Sequence, residues 1–378
     1  MVWSEKEVIK LRRDLHQIPE IGLSEFKTHD YLINIINQFP KNRIEVKTMD
    51  TAISVRVKGK KPIKTIGWRT DIDGLPIQEE TKSPYSSLHE GKMHACGHDF
   101  HMTIALGVLE QIIINELDND VIFFFQPAEE NFSGAKIYYD SGFIKNETID
   151  EIFGLHVAPH LPSKTIGTLD GTLFAGACRF VLTFTGKDGH AAFPHEANDM
   201  IIAATSYVQQ AQTIISRNID PMKNAVITFG EFNAGIADNV VAGKAVLTGT
   251  IRSLTYEISD LTQSRMKDLA EGISRSFDCK VLLELDQKGY VPVVNNSEIA
   301  SDFMNYFKEE SSLPFLEVKE AMTGEDFGYL LKNIPGMMFW LGVSSQHGLH
   351  HGKFNPDEKV IFPAIKAIKE YIIHRDSI

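Results

Sequence analysis

The sequence predicts an α/β protein of two domains: a doubly wound α/β domain interrupted by a smaller, inserted ferredoxin-like α+β domain. Three observations predict it. Strand-like and helical runs alternate over the first 170 or so residues, which is the grammar of a wound sheet. From residue 174 the order becomes β-α-β-β-α-β, and after residue 288 the first pattern returns. A chain of 378 residues with 43% hydrophobic content can also bury two cores. The expected division is 1–173 and 288–378 for the larger domain and 174–287 for the insert.

Ser4 followed three residues later by Glu7 makes a capping box, and Val8, Leu11 and Leu15 share one helical face. Pro19 ends that helix, and a second helical pattern covers Glu25 to Gln38. Strands are predicted at Ile53 to Val57 and Thr65 to Arg69. The second empties into Arg69-Thr-Asp-Ile-Asp-Gly-Leu-Pro76, where Gly and Pro stop it and leave Asp71 and Asp73 at its carboxyl end. In an open α/β sheet that is where ligands bind, although two turn aspartates can equally be solvated charge. A helix from Met102 to Ile114 precedes the apolar strand Val121 to Phe125, which ends in Gln126-Pro-Ala-Glu-Glu130. The next strand, Glu151 to Leu155, runs into His156.

In the insert, Cys178 to Thr185 reads as a strand and Ile201 to Ile215 as a helix. Ala225 to Phe232 and Val240 to Ile251 read as strands, Ile258 to Phe277 as a helix and Cys279 to Leu285 as the closing strand. Beyond it come a helix at Ser297 to Lys308, the turn Thr323 to Phe327, a strand at Met337 to Val343 and a helix from Pro363 to His374. Glycines near the junctions, Gly171 and Gly289, could act as hinges.

A formal charge of -12 argues against a nucleic-acid partner, because a phosphate backbone requires a clustered basic face. Three widely spaced cysteines suit a reducing compartment rather than a disulfide framework. The charged first residues contain no apolar signal-like run, and no run of about 18 apolar residues occurs, so the expectation is a soluble cytoplasmic protein without a membrane partner.

The densest chemistry is His94-Ala-Cys-Gly-His-Asp-Phe-His101: one thiol, three imidazoles and a carboxylate. Gly97 allows the tight turn that would aim Cys96 and His98 at one ion. A lone Cys or His is more often a buried hydrophobe or a satisfied side chain than a ligand. Asp71, Cys96, His98, Glu129, Glu130, His156 and His350, however, all fall at predicted strand ends and turns. Imidazole, thiolate and carboxylate suit one or two borderline divalent ions, such as zinc, manganese, cobalt or nickel. Adjacent glutamates can divide the work, one holding metal and the other moving a proton. No His-Glu-x-x-His helix, Cys-x-x-Cys pair, Gly-x-Ser-x-Gly elbow, phosphate-binding loop or dinucleotide fingerprint competes.

Six segments in order resemble the motifs of the amidohydrolase branch of the aminoacylase and carboxypeptidase family of metallopeptidases. They are Arg69 to Pro76, His94 to Asp99, Gln126 to Glu130, Gly186-Lys-Asp-Gly-His-Ala-Ala-Phe-Pro-His195, Gly324 to Phe327 and Leu349-His350. Arg12-Arg-Asp-Leu-His-Gln-Ile-Pro-Glu20 and Glu25-Phe-Lys-Thr28 extend the likeness to the N-terminus. The resemblance implies that Cys96, His98, Glu130, His156 and His350 ligate metal, that Glu129 is the general base, and that Asp71 orients a metal-bound imidazole. Arg69 stands where the wider family has a histidine ligand, which would pass the bridging task to Cys96. The insert is implied to be a lid that also makes a homodimer. His190 would reach the oxyanion across that interface, and Asn239 and Arg252 would hold the substrate carboxylate. The activity so implied is metal-dependent removal of a small acyl group from an amino acid. A broader N-acyl amino acid hydrolase, acting on hippurate or N-acetylcysteine, and a silent carboxylate-binding scaffold are the alternatives.

Overall fold

The computed structural model describes residues 2–378, which form two compact units. The first comprises the chain up to Leu173 together with Val293–Glu320 and Asp326–Ile378; the second comprises Phe174–Pro292 and Ala321–Glu325. The short return segment joins the second unit because the Ala175 amide donates to the Ala321 carbonyl at 2.9 Å.

The first unit is built on an eight-stranded mixed sheet. Its strand order is Ile44–Met49, Ala52–Val57, Asp120–Gln126, Thr65–Asp71, Glu151–Ala158, Gly336–Gly342, Ile166–Thr168 and Phe315–Glu317. Asp120–Gln126, Thr65–Asp71, Glu151–Ala158 and Gly336–Gly342 run parallel. Their residues are buried almost without exception, as expected for parallel strands covered on both faces. Neighbouring residues of one strand show the two layers. Phe153 packs edge-on to Tyr371 of the helix Ile361–Asp376, at 5.5 Å between ring centroids. The adjacent Gly154 lies under Phe327 of the helix Phe327–Leu331, so closely that a Cβ would come 3.0 Å from the ring. Successive strand residues point to opposite faces, so these two helices lie on opposite sides of the sheet.

Register then places the chemistry. Asp71 pairs with Gln126, and Arg69 is opposite both Phe124 and Gly154, so the ends of three parallel strands are level. Asp71, the Glu129–Glu130 pair and His156 therefore emerge at one edge.

The opening helix Glu5–His16 carries the expected capping box. The helix His98–Asn115 begins four residues earlier than the sequence predicts. Gly97, at φ 85°, turns the chain directly into it, and its ligand-rich first turn reads as loop when met only as sequence. Apolar on nearly every side, it is buried along its length and packs against the sheet, the opening helix and the closing helix.

The second unit is a four-stranded antiparallel sheet in the order Ala225–Ala234, Lys244–Ser253, Gly176–Thr185 and Lys280–Asp286. That is the spatial order of a ferredoxin-like fold. Its helices Met200–Thr213 and Tyr256–Ser276 cover one core containing Phe180, Phe184, Tyr207, Leu247 and Met266. The strand expected at Val240 to Ile251 is two strands, Val240–Val241 and Lys244–Ser253. Gly243 separates them; a Cβ there would lie 2.9 Å from the Asp188 amide nitrogen.

Candidate metal centre

Cys96 and His98 flank Gly97, whose left-handed backbone and close approach to Val157 leave no room for a side chain: a Cβ would lie 2.4 Å from Val157 Cγ2. Cys96 Sγ is 3.4 Å from His156 Nε2. Glu130 Oε1 is 3.8 Å from His98 Nε2 and 3.3 Å from His350 Nε2. Two triads of potential ligand atoms result, Cys96–His98–His156 and Cys96–Glu130–His350, with Cys96 common to both. Glu129 stands in a further group with His98 and Glu130 and is itself buried. His350, at the exposed rim, is fixed through its backbone, which donates to the Ala95 carbonyl at 2.9 Å.

The second nitrogen of each imidazole sets its tautomer. His98 Nδ1 donates to the Asp73 carbonyl at 2.8 Å and His156 Nδ1 to the Val157 carbonyl at 2.9 Å. A carbonyl only accepts, so both rings carry a proton on Nδ1, and Nε2 is the nitrogen whose lone pair is left for a cation to take. His101 lies beside them but has no such lone pair to offer. Its Nε2 accepts from the Val157 amide at 3.0 Å, and its Nδ1 donates to Asp71 Oδ1 at 2.6 Å.

Asp71 is fully buried, hydrogen-bonded to His101 and Arg69, and 3.7 Å from His98 Nδ1, beyond hydrogen-bond reach. Burial works against its charge, but His98, His101 and Arg69 prevail and hold its carboxyl well below the usual range. The residue that directly fixes His98 is Asp73, whose carboxylate also accepts the Glu130 amide at 3.0 Å. His101 and Asp73 stand in the sequence as the last histidine of the His94 to His101 run and the second aspartate of the strand-end turn. Their tasks depend on contacts that spacing does not reveal.

Behind these groups, Arg69 spreads its guanidinium over three acceptors, Gln126 Oε1, Asp71 Oδ2 and Asp326 Oδ1, each at 2.8 Å. Gln126 and the Ala135 amide also donate to Asp326.

The donor set fits a divalent cation. Among the described residues, the buried atoms His98 Nε2 and Glu130 Oε1 have no hydrogen-bond partner, although both face the cluster. Burial opposes charge on His98, yet Asp71, Asp73 and Glu130 raise its pKa to about 10, so the surroundings favour positive charge at this spot. Burial, Glu130 and Glu129 push the Cys96 thiol up. A cation coordinated by sulfur would offset those effects.

The remaining predicted residues lie in the second unit. His190 is exposed on a short two-stranded ladder opposite Val240, and the Ala191 amide donates to the Asn239 carbonyl at 3.0 Å, so His190 and Asn239 are neighbours. Arg252 is opposite Ala177 at the far end of the strand Lys244–Ser253. It is partly buried, no carboxylate pairs with it among the described residues, and burial lowers its pKa. Its Nη1 occupies the space over Gly324, 2.8 Å from where a Cβ would sit.

Known proteins resemble this chain over nearly its whole length. The model of peptidase family M20/M25/M40 matches residues 67–374. The chain is 52% identical over 371 residues to an N-acetyldiaminopimelate deacetylase of Streptococcus gordonii, covering 98% of each chain. It is 51% identical over 373 residues to one of Enterococcus faecalis, covering 99% of each. A Bacillus subtilis structure described as a dinuclear metal-binding peptidase of the M20 family superposes with a TM-score of 0.86 at 28% identity, over 99% of this chain and 98% of that one. Level strand ends, converging thiolate, imidazole and carboxylate donors and these similarities lead to one assignment: the chain belongs to peptidase family M20/M25/M40, hydrolases of amide bonds.

Proposed function

We propose that this protein is a metal-dependent deacetylase that hydrolyses N-acetyl-LL-2,6-diaminopimelate to diaminopimelate and acetate in lysine biosynthesis. The carrying observation is identity of about one half, over nearly the whole length, to relatives bearing that activity in their name. In this reading Cys96, His98, Glu130, His156 and His350 hold one or two divalent ions, zinc, manganese, cobalt or nickel. If two were bound, Cys96, common to the two triads, would serve both. A bound ion would polarise the amide carbonyl and acidify a neighbouring water. Glu129 takes the water's proton and returns it to the leaving nitrogen. Asp73 and the Val157 carbonyl hold the His98 and His156 rings, and the Asp71–His101 pair packs beside them.

Arg252 is proposed to grip the substrate carboxylate with its planar fork, a role suited to a partly buried guanidinium lacking a carboxylate partner. His190 and Asn239 are proposed to contact the tetrahedral oxyanion and the substrate. They adjoin one end of a ten-residue strand whose other end carries Arg252. Such a strand spans about 30 Å, far more than an acylated amino acid, so one chain cannot apply both ends to one substrate molecule. This supports a homodimer formed through the second unit, in which His190 and Asn239 serve the partner's substrate. The three cysteines are all unpaired, in keeping with a cytoplasmic protein, and among the described residues no helix is long and apolar enough to cross a membrane.

The test is a substrate panel: acetate release from N-acetyl-diaminopimelate against hydrolysis of N-acetylcysteine and hippurate. The proposed function requires a clear preference for the first; a preference for either rival would replace it with a broader N-acyl amino acid hydrolase. Dialysis against a chelator abolishes the activity, and adding back one of the four ions restores it. Replacing Arg252 by Met raises KM roughly 10- to 100-fold, the loss expected for a charge-assisted pair, with a smaller change in kcat.

A further inference from the structure

The Glu25-Phe-Lys-Thr28 segment has no part in the chemistry above, yet its first side chain lies buried beneath the loop that delivers Glu129. That loop begins at Ala128, a non-glycine residue in the left-handed region at φ 60° and ψ 40°. An alanine there is disfavoured by roughly 1–2 kcal/mol and persists only if its surroundings hold it. Glu25 does so directly: its Oε1 accepts the Ala128 amide at 2.8 Å, while its Oε2 accepts the Thr51 hydroxyl at 2.8 Å. Its own backbone is anchored, because the Glu25 carbonyl accepts the His29 amide at 2.8 Å in the first turn of the helix Phe26–Ile36. Gly22 brings the chain against the same spot, where a Cβ would sit 2.8 Å from Ala128 Cα.

We infer that Glu25 is a positioning residue: by holding the Ala128 amide in its left-handed turn, it aims the Glu129 carboxylate at the reacting water. The inference rests on the proposed role of Glu129 as base. Without the clamp, Ala128 relaxes toward the right-handed region. The peptide before Glu129 then rotates, displacing a carboxylate whose usefulness depends on placement within a fraction of an ångström. Thr28 contributes at one remove, since its amide and hydroxyl bind Glu20 at 2.9 and 3.1 Å and hold the start of the helix that carries Glu25.

The experiment compares Glu25→Ala, Glu25→Gln and Glu25→Asp in the metal-loaded enzyme by steady-state kinetics, metal content, melting temperature and amide hydrogen exchange of the peptide containing Ala128. The carboxamide of Glu25→Gln keeps an acceptor for the Ala128 amide. It also suits this site, where burial and Asp73 raise the carboxyl pKa to about 7. Glu25→Ala should lower kcat roughly 30- to 100-fold, with KM within about twofold, metal content unchanged and faster exchange at Ala128. Glu25→Gln should recover kcat to within about threefold and restore protection. If the alanine variant does not fold, Glu25→Asp, one methylene too short to reach both partners, should show the same loss and faster exchange. A folded Glu25→Ala or Glu25→Asp with kcat within twofold of the parent overturns the inference. So does a Glu25→Gln variant as slow as Glu25→Ala while exchange at Ala128 remains slow. The two readings separate cleanly: turnover retained in Glu129→Gln removes the base itself, whereas loss there beside normal kcat in Glu25→Ala removes only the clamp.

Discussion

Replacing Glu129 with glutamine lowers kcat by roughly 10²–10⁴-fold, the usual contribution of a positioned general base, while the bound metal content stays at the parent level. Glutamine has the shape of glutamate but no basic oxygen at neutral pH, so packing survives and proton transfer does not. The separation is expected because the five proposed ligands do not include Glu129, although it lies in a common cluster with His98 and Glu130. Initial-rate measurements on N-acetyl-diaminopimelate, with elemental analysis of the same preparation, check both halves. Turnover within tenfold of the parent would move the base elsewhere. Lost metal together with lost turnover would make Glu129 a ligand.

Arg69→Met is expected to destabilise the first unit by roughly 3–5 kcal/mol, the cost of removing one partner from a buried ionic network. The side chains of Arg69, Asp71 and Asp326 are all fully buried, and the guanidinium is the cation that lies between the two carboxylates. Methionine fills much of the volume but leaves those carboxylates without their common donor, and Gln126 cannot replace a charge. Lysine retains the charge as a point without the planar fork that reaches Gln126, Asp71 and Asp326 together, so Arg69→Lys should fall between. Denaturant unfolding monitored by tryptophan fluorescence measures this, since Trp68 and Trp340 are buried in the same unit. A midpoint for Arg69→Met equal to that of the parent would show that the network contributes specificity of arrangement rather than stability.

The contrast between Asp71 and Asp73 shows how far sequence reasoning reaches. Both are recognisable at the end of a strand stopped by Gly74 and Pro76, a local signal. Which of them holds His98 depends on how the turn enters the fold. The Asp73 carbonyl meets the ring at 2.8 Å, and the Asp71 carboxylate is taken by His101 and Arg69. The late prediction for the start of the long helix has a related cause. His98 and Asp99 look like loop residues because their types are suited to chemistry, and only the Gly97 backbone shows that the helix has already begun. The split of Val240 to Ile251 into two strands likewise turns on Gly243, whose task is its fit against Asp188.

The sequence alone gives the α/β class, the central strands of the first unit, the β-α-β-β-α-β order of the second and the residue types able to bind a divalent ion, because periodicity, caps and turn residues are local. The short or exposed strands Ile44–Met49, Ile166–Thr168 and Phe315–Glu317 carry too little periodic signal to be read this way. Tertiary structure alone decided that the ends of Thr65–Asp71, Asp120–Gln126 and Glu151–Ala158 are level, that His101 has no lone pair to offer, and that Glu25 and Arg69 support the loops in front of them. These contacts join residues separated by tens to hundreds of positions, and their existence depends on which strands become neighbours. That choice is made by the packing of the whole core, and no single segment encodes it.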